Sequence, residues 1–338
     1  ASGLELLGTA GIYTLTNTGN AITTLAGNTG TVSFLENSGF AIGTVNTVGL
    51  TTTGNTTLSS TGTVTQSQAI TASGLELLGT AGIYTLTNTG NAITTLAGNT
   101  GSITFVENSG YTVGTVNTVG VTTNGNLSLS STGGIIFAQN ITSGVGTQLF
   151  TGPVTLSTQS ISLTSTNADI TFSGLTTTIN GSPSLTVNAG SGVITFDASI
   201  GATTKLSSIT LTSSSEIKVG ANISTIGIQT YSGPVTLVND AVLTSVGDNT
   251  STTYSYSASI QQVTIAGSSV TLTLVGGAGG KGGDDGNIGL GTGVAGYYEA
   301  TLSVTPGTIL QLAPGKGGTT GTSGTSGGAG VGGTNALG

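Results

Sequence analysis

The chain has 338 residues, contains no Cys, Met, Trp or His, carries a net charge of −8, and is only 5% charged. Ordinary soluble domains carry about 25% charged residues, so this is the makeup of an extracellular fibrous protein rather than of a cytosolic catalyst. It excludes disulfides, thiol nucleophiles, imidazole-based triads and ordinary zinc sites, and four scattered lysines against twelve carboxylates speak against a nucleic-acid partner.

Residues 1–30 return unchanged at 72–101, so the period runs from Ala1 to Ala72. The stretch that follows returns with mild exchanges: Ile103 stands for Val32, Val106 for Leu35 and Tyr111 for Phe40. A fixed period with conservative apolar drift marks a stacked repeat architecture. Within the repeat, the triplets Tyr13-Thr14-Leu15, Val32-Ser33-Phe34 and Thr56-Thr57-Leu58 align. Each is followed by a glycine (Gly19, Gly39, Gly62) and a second short strand at Ile22, Ile42 or Val64. Spacings of about 20, 24 and 27 residues give three coils per repeat, and residues 1–142 make two repeats.

Residues 143–247 continue as divergent coils. The run from Phe150 to Leu156 is answered by Tyr231 to Leu237, and Ile170-Thr171-Phe172 by Ile194-Thr195-Phe196 one coil later. Alternating Val, Ile, Thr, Leu and Phe broken by Gly pairs predicts strands and tight turns, with no sustained helical period. The expectation is an all-β parallel β-helix (β-solenoid) of roughly ten coils, a rod of roughly 50 Å at about 4.8 Å per coil.

Three runs carry a specific likeness: Ile12-Tyr-Thr-Leu-Thr-Asn-Thr-Gly-Asn-Ala-Ile22, Thr44-Val-Asn-Thr-Val-Gly49 and Leu58-Ser-Ser-Thr-Gly-Thr-Val-Thr65. They resemble filamentous-haemagglutinin-type adhesin repeats, a likeness that extends over residues 1–245. The resemblance implies a right-handed β-helix and a secreted, cell-surface bacterial protein, exported in such families through a dedicated outer-membrane partner. The amino-terminal secretion domain of that family is not recognisable here. No run approaches the roughly 18 apolar residues of a membrane span, and no basic stretch leads into an apolar one as in a signal peptide. Beginning at Ala1 inside a repeat, the chain reads as a processed product or a section of something longer.

From about Thr253 the grammar changes. Val263-Thr-Ile-Ala and Val270 to Val275 read as strands, as do Tyr297 to Val304 and Thr308 to Leu312, joined at Pro306-Gly307. Residues 276–338 hold 23 glycines, so residues 253–338 are expected to form a small glycine-rich β-sandwich-like module. It looks like the glycine-rich modules that end many bacterial surface proteins, whose glycines can bundle as polyglycine helices. Disorder is the alternative reading of the same composition.

Candidate chemistry is sparse. Glu36 and Glu107, and likewise Glu5 and Glu76, sit one repeat apart, too far for paired acid–base work. Asp169 and Asp197 lie in neighbouring coils on opposite sides of their strands. Turn-capping or solvated carboxylates are the favoured reading. Lys281 and Lys316, each between glycines, lack the spacing and the Ser or Thr of a phosphate loop. Residues 279–287 approximate a calcium-binding nonapeptide, with Asp284, Asp285 and Asn287 as ligands. Gly286 occupies its apolar position and there is one copy where stacked copies are needed, which favours a solvated turn and no resident cofactor.

The composite expectation is a non-enzymatic extracellular stalk or filament subunit. Its partner would be itself, head to tail, or the remainder of a larger repeat protein. The alternative is an adhesin module for host or neighbouring-cell glycans. Ice binding by threonine arrays, suggested by Thr51-Thr52-Thr53, is opposed by the unequal coil lengths.

Overall fold

The computed structural model describes residues 1–174, 177–246, 261–264, 269–275, 297–303, 305 and 309–312. The chain divides into two compact units, Ala1–Leu243 and Thr244–Gly338. Among the described residues all regular structure is β, and the first unit is a parallel β-solenoid of about 11 turns.

The coils form because each short strand alternates one apolar inward residue with one polar outward residue. Ile170–Ser173 buries Ile170 and Phe172 and turns Thr171 and Ser173 outward. The expected triplets stack in register: Tyr13 lies beside Val32, Val32 beside Thr56, and Leu15, Phe34 and Leu58 follow one another. Ile170-Thr171-Phe172 pairs residue for residue with Ile194-Thr195-Phe196, one coil as read. Inside runs one apolar cluster from Leu6 to Ile223. In one column, Phe150, Phe172 and Phe196 succeed one another with ring centroids 5.0 and 5.2 Å apart. Each such ring contributes roughly 1.5–3 kcal/mol by leaving water.

Three coils per repeat is corrected by the register. After Leu15, Phe34 and Leu58 the next residue up the column is Leu77, so three coils close between Leu15 and Leu77, short of the full repeat. The long repeat is therefore three coils plus part of a fourth, and each copy is turned to a different face. Phe34 belongs to the column of Leu15 and Leu58, whereas Phe105 stands in another, above Leu86 and below Leu129. The motif around Phe150 shifts in the same way: Phe150 pairs with Phe172, but Tyr231 pairs with Leu211 on another face.

Corners demand backbone that side chains resist. Gly152 has φ +109°, and a Cβ there would lie 1.8 Å from the Ser131 carbonyl oxygen of the coil beneath, so only glycine fits.

In the second unit, Ser269–Val275 pairs antiparallel with Tyr297–Ser303, and Gln261–Thr264 pairs antiparallel with Ile309–Leu312. The strands expected to meet across Pro306-Gly307 thus each take an earlier strand as partner; that turn and the glycine-rich tracts lie outside the described residues.

Candidate functional site

The acidic side chains are the chain's main chemical resource, and the repeat puts them to two uses. Glu5 and Glu76 lie within the long strands Gly3–Leu15 and Ile70–Leu86. Two coils further on, residues 43–49 and 114–120 leave the wall as small hairpins, closed by Thr44 against Val48 and Thr115 against Val119. Each glutamate reaches back to pin its hairpin. The Glu5 carboxylate accepts from the Asn46 side chain at 2.7 Å and from the Thr47 backbone N–H at 2.5 Å. Glu76 accepts from the Asn117 side chain and from the Thr118 N–H and hydroxyl, all at 2.7 Å, and from the Thr57 hydroxyl at 2.9 Å. Burial pushes the Glu76 carboxyl up, but the donors of Asn117, Thr118 and Thr57 outweigh it and hold the group below the usual carboxylate range. Glycine lets the strap lie close: a Cβ at Gly3 would meet the Val45 side chain at 2.9 Å.

Glu36 and Glu107 occupy a buried corner. Glu36 accepts from the Ser38 N–H at 2.9 Å and from its hydroxyl, while its Oε2 has no partner. Glu107 accepts from the Ile93 N–H at 3.0 Å and the Ser109 hydroxyl at 2.6 Å. Burial raises its carboxyl above the usual range, which those two hydrogen bonds only partly offset. Nearby, the buried Tyr111 ring meets Phe105 edge-on at 5.1 Å, and its hydroxyl has no partner. Burial, then the neighbouring Glu107 charge, pushes that phenol far up. In the first repeat Phe40 fills the equivalent place, 5.1 Å from Phe34. A half-open groove of about 440 Å³ adjoins this corner, lined in part by Ile93, Ser109, Tyr111, Gly134, Ile136 and Pro153. Glu107 itself is buried beneath the groove's lining and does not open into it. The Tyr111 hydroxyl makes no hydrogen bond to Glu107, so the corner provides no proton path between them.

Other polar groups serve the corners. Asp169 accepts from the Val193 N–H one coil on at 2.8 Å, the capping role expected of it. Asn126, Asn140, Asn167, Asn180 and Asn222 do the same for Thr147, Ser162, Ser191, Thr203 and Val242. This side-chain ladder satisfies backbone donors that the turns leave without a strand partner.

The calcium candidates Asp284, Asp285 and Asn287, and Gly286 with them, lie outside the described residues. Among the described residues no group of three or more His, Cys, Asp or Glu could hold a metal ion, and no helix is long and apolar enough to cross a membrane. The glutamate straps were missed in the sequence, although a signal existed. Glu5 precedes Asn46-Thr47 by the same interval as Glu76 precedes Asn117-Thr118.

No protein-family model, curated protein or solved structure matches the chain.

Proposed function

We propose that this chain is an extracellular structural protein: a rigid β-solenoid stalk or filament subunit of a bacterial surface, of the filamentous-haemagglutinin kind, without catalytic activity. The observation that supports this best is how the polar groups are used. The buried apolar cluster runs the length of the first unit, while Glu5, Glu76, Glu107, Asp169 and the corner asparagines bind the chain's own loops and turns. Polar groups spent on the chain's own turns and straps suit a scaffold.

Strand edges supply the means of assembly. The strand Gly3–Leu15 pairs along one edge with Thr24–Leu35; its other edge has no partner among the described residues, and on the strand's outward face Leu7 and Ile12 are 54% and 79% exposed. Such an edge is a template for another strand. We propose that further coils of the same kind stack on it, from a second copy or from a longer parent. A head-to-tail contact of this type is heterologous and propagates as an open fibre.

Negative-stain electron microscopy of the purified chain, with and without a calcium chelator, tests this. Fibres with a uniform axial repeat support assembly through the ends, and their loss in chelator would show that assembly needs a divalent cation, for which Asp284, Asp285 and Asn287 are the candidate ligands. Isolated short rods under both conditions would overturn the filament reading.

A further inference from the structure

One wall of the solenoid carries two rows of hydroxyl and amide groups in register. It is built from the strands Val121–Thr123, Ile141–Ser143, Ile161–Ser165, Leu185–Asn188, Ile209–Thr212 and Gln229–Ser232, each parallel to the one before. Inward go Val121, Ile141, Leu163, Val187 and Leu211, all buried. Outward, the register aligns Thr122, Thr142, Thr164, Asn188, Thr212 and Ser232 in one row. Two positions back along the strands, Ser162, Thr186, Thr210 and Thr230 form a second. All of these are exposed or half-exposed, and none is charged.

Coil length does not disturb the pattern. The step from Leu185 to Ile209 takes more chain than the step from Val121 to Ile141, yet both pairs are in register because the corners absorb the difference. Neighbours along a row are therefore about 4.8 Å apart and the two rows about 6.6 Å apart, as strand geometry requires. Threonine has a restricted χ1, so its methyl and hydroxyl repeat in a fixed attitude. The hydroxyls of Thr122, Thr142, Thr186, Thr210, Thr212 and Thr230 have no hydrogen-bond partner among the described residues. The other two walls are interrupted. On one, Leu149 and Lys218 stand among Ser128, Thr171 and Thr195; on the other, Ile136 precedes Thr155 and Asn180.

We propose that this wall binds ice. Exchanging a hydroxyl's hydrogen bond to liquid water for one to a crystal is nearly neutral taken singly. A useful gain needs many stiff, uncharged groups at lattice-like intervals, together with methyls that order the water between them, and this wall supplies both. Glycan recognition would call for exposed ring platforms. Among the described residues of the first unit the rings are buried except Tyr13 and Tyr231, which are half-buried, and no two of them form an exposed pair.

The test is thermal hysteresis and ice-crystal shaping by the full chain, with ice as the probe. The double variant Thr186→Tyr with Thr210→Tyr should abolish both effects, while Thr171→Tyr with Thr195→Tyr on the neighbouring wall should keep them. Should the first pair fail to fold by circular dichroism, Thr186→Lys with Thr210→Lys breaks the same row with a soluble side chain and should give the same loss. Absence of hysteresis and shaping in the unaltered chain overturns the proposal, and so does equal loss from both walls. Because filament formation is read separately by microscopy, neither result depends on the other.

Discussion

Replacing Phe172 by Ala removes one ring from the middle of a column. Phe172 is fully buried, 5.0 Å from Phe150 below and 5.2 Å from Phe196 above, the latter pair stacked at 14°. Losing a buried Phe side chain costs about 3–5 kcal/mol in transfer and cavity energy. In a solenoid each coil touches only its neighbours, so the loss stays local. Amides of Gln148–Thr151, Ile170–Ser173 and Ile194–Phe196 should therefore exchange roughly 150- to 4,000-fold faster at neutral pH. Those of Asn55–Ser59, far down the stack, should hold their wild-type protection. Phe172→Leu should cost under about 1.5 kcal/mol, since Leu129 already serves in the same column. Hydrogen exchange read by mass spectrometry settles it. A uniform rise along the whole first unit, or no rise around Phe172, would refute nearest-neighbour stacking.

Tyr111→Phe removes a buried hydroxyl without a partner and copies Phe40 of the first repeat, so it should raise stability by about 1 kcal/mol, seen as a higher melting temperature. Gly152→Ala places a Cβ against the Ser131 carbonyl at a φ of +109° and should cost about 2 kcal/mol or more, measured by urea denaturation. The Glu76 carboxyl is depressed in the folded chain, so its pinning of residues 114–120 is complete above the ordinary carboxylate range and fades as pH falls through the folded value. Exchange of the Thr118 amide should therefore quicken on acidification beyond its intrinsic pH dependence, and Glu76→Gln should remove that excess. Glu107 has the opposite sign: its raised folded value gives stability that is full below the ordinary range and lost as pH rises through it. Glu107→Gln should lose this fall, as melting temperatures across that pH range would report.

The local stack was legible in the sequence. Tyr13, Val32 and Thr56 align by their apolar alternation and the glycine that follows each triplet, and these are the residues that pair. The face on which each repeat lands was not legible. The return of Ala1 at Ala72 records a duplicated segment, whereas three coils already close between Leu15 and Leu77. Residues 43–49 show why: they read as part of a strand-and-turn coil but leave the wall as a strap, lengthening one coil without adding a layer. The unequal coil lengths that speak against a regular threonine lattice in the sequence leave the register of this wall intact. Coil length varies at the corners, and the register of Thr186 on Thr210 does not feel it. The buried Glu107–Tyr111 corner was invisible because neither residue type announces burial, and only the stack places them together.

We infer that a second copy stacks its coils on the edge of Gly3–Leu15 that has no partner among the described residues. Electron microscopy with fibre diffraction, comparing the unaltered chain with a Leu7→Lys, Ile12→Lys variant, addresses it most directly. Fibres with an axial reflection at about 4.8 Å are expected for the first and single rods for the second. Single rods from both, or fibres from both, would contradict it.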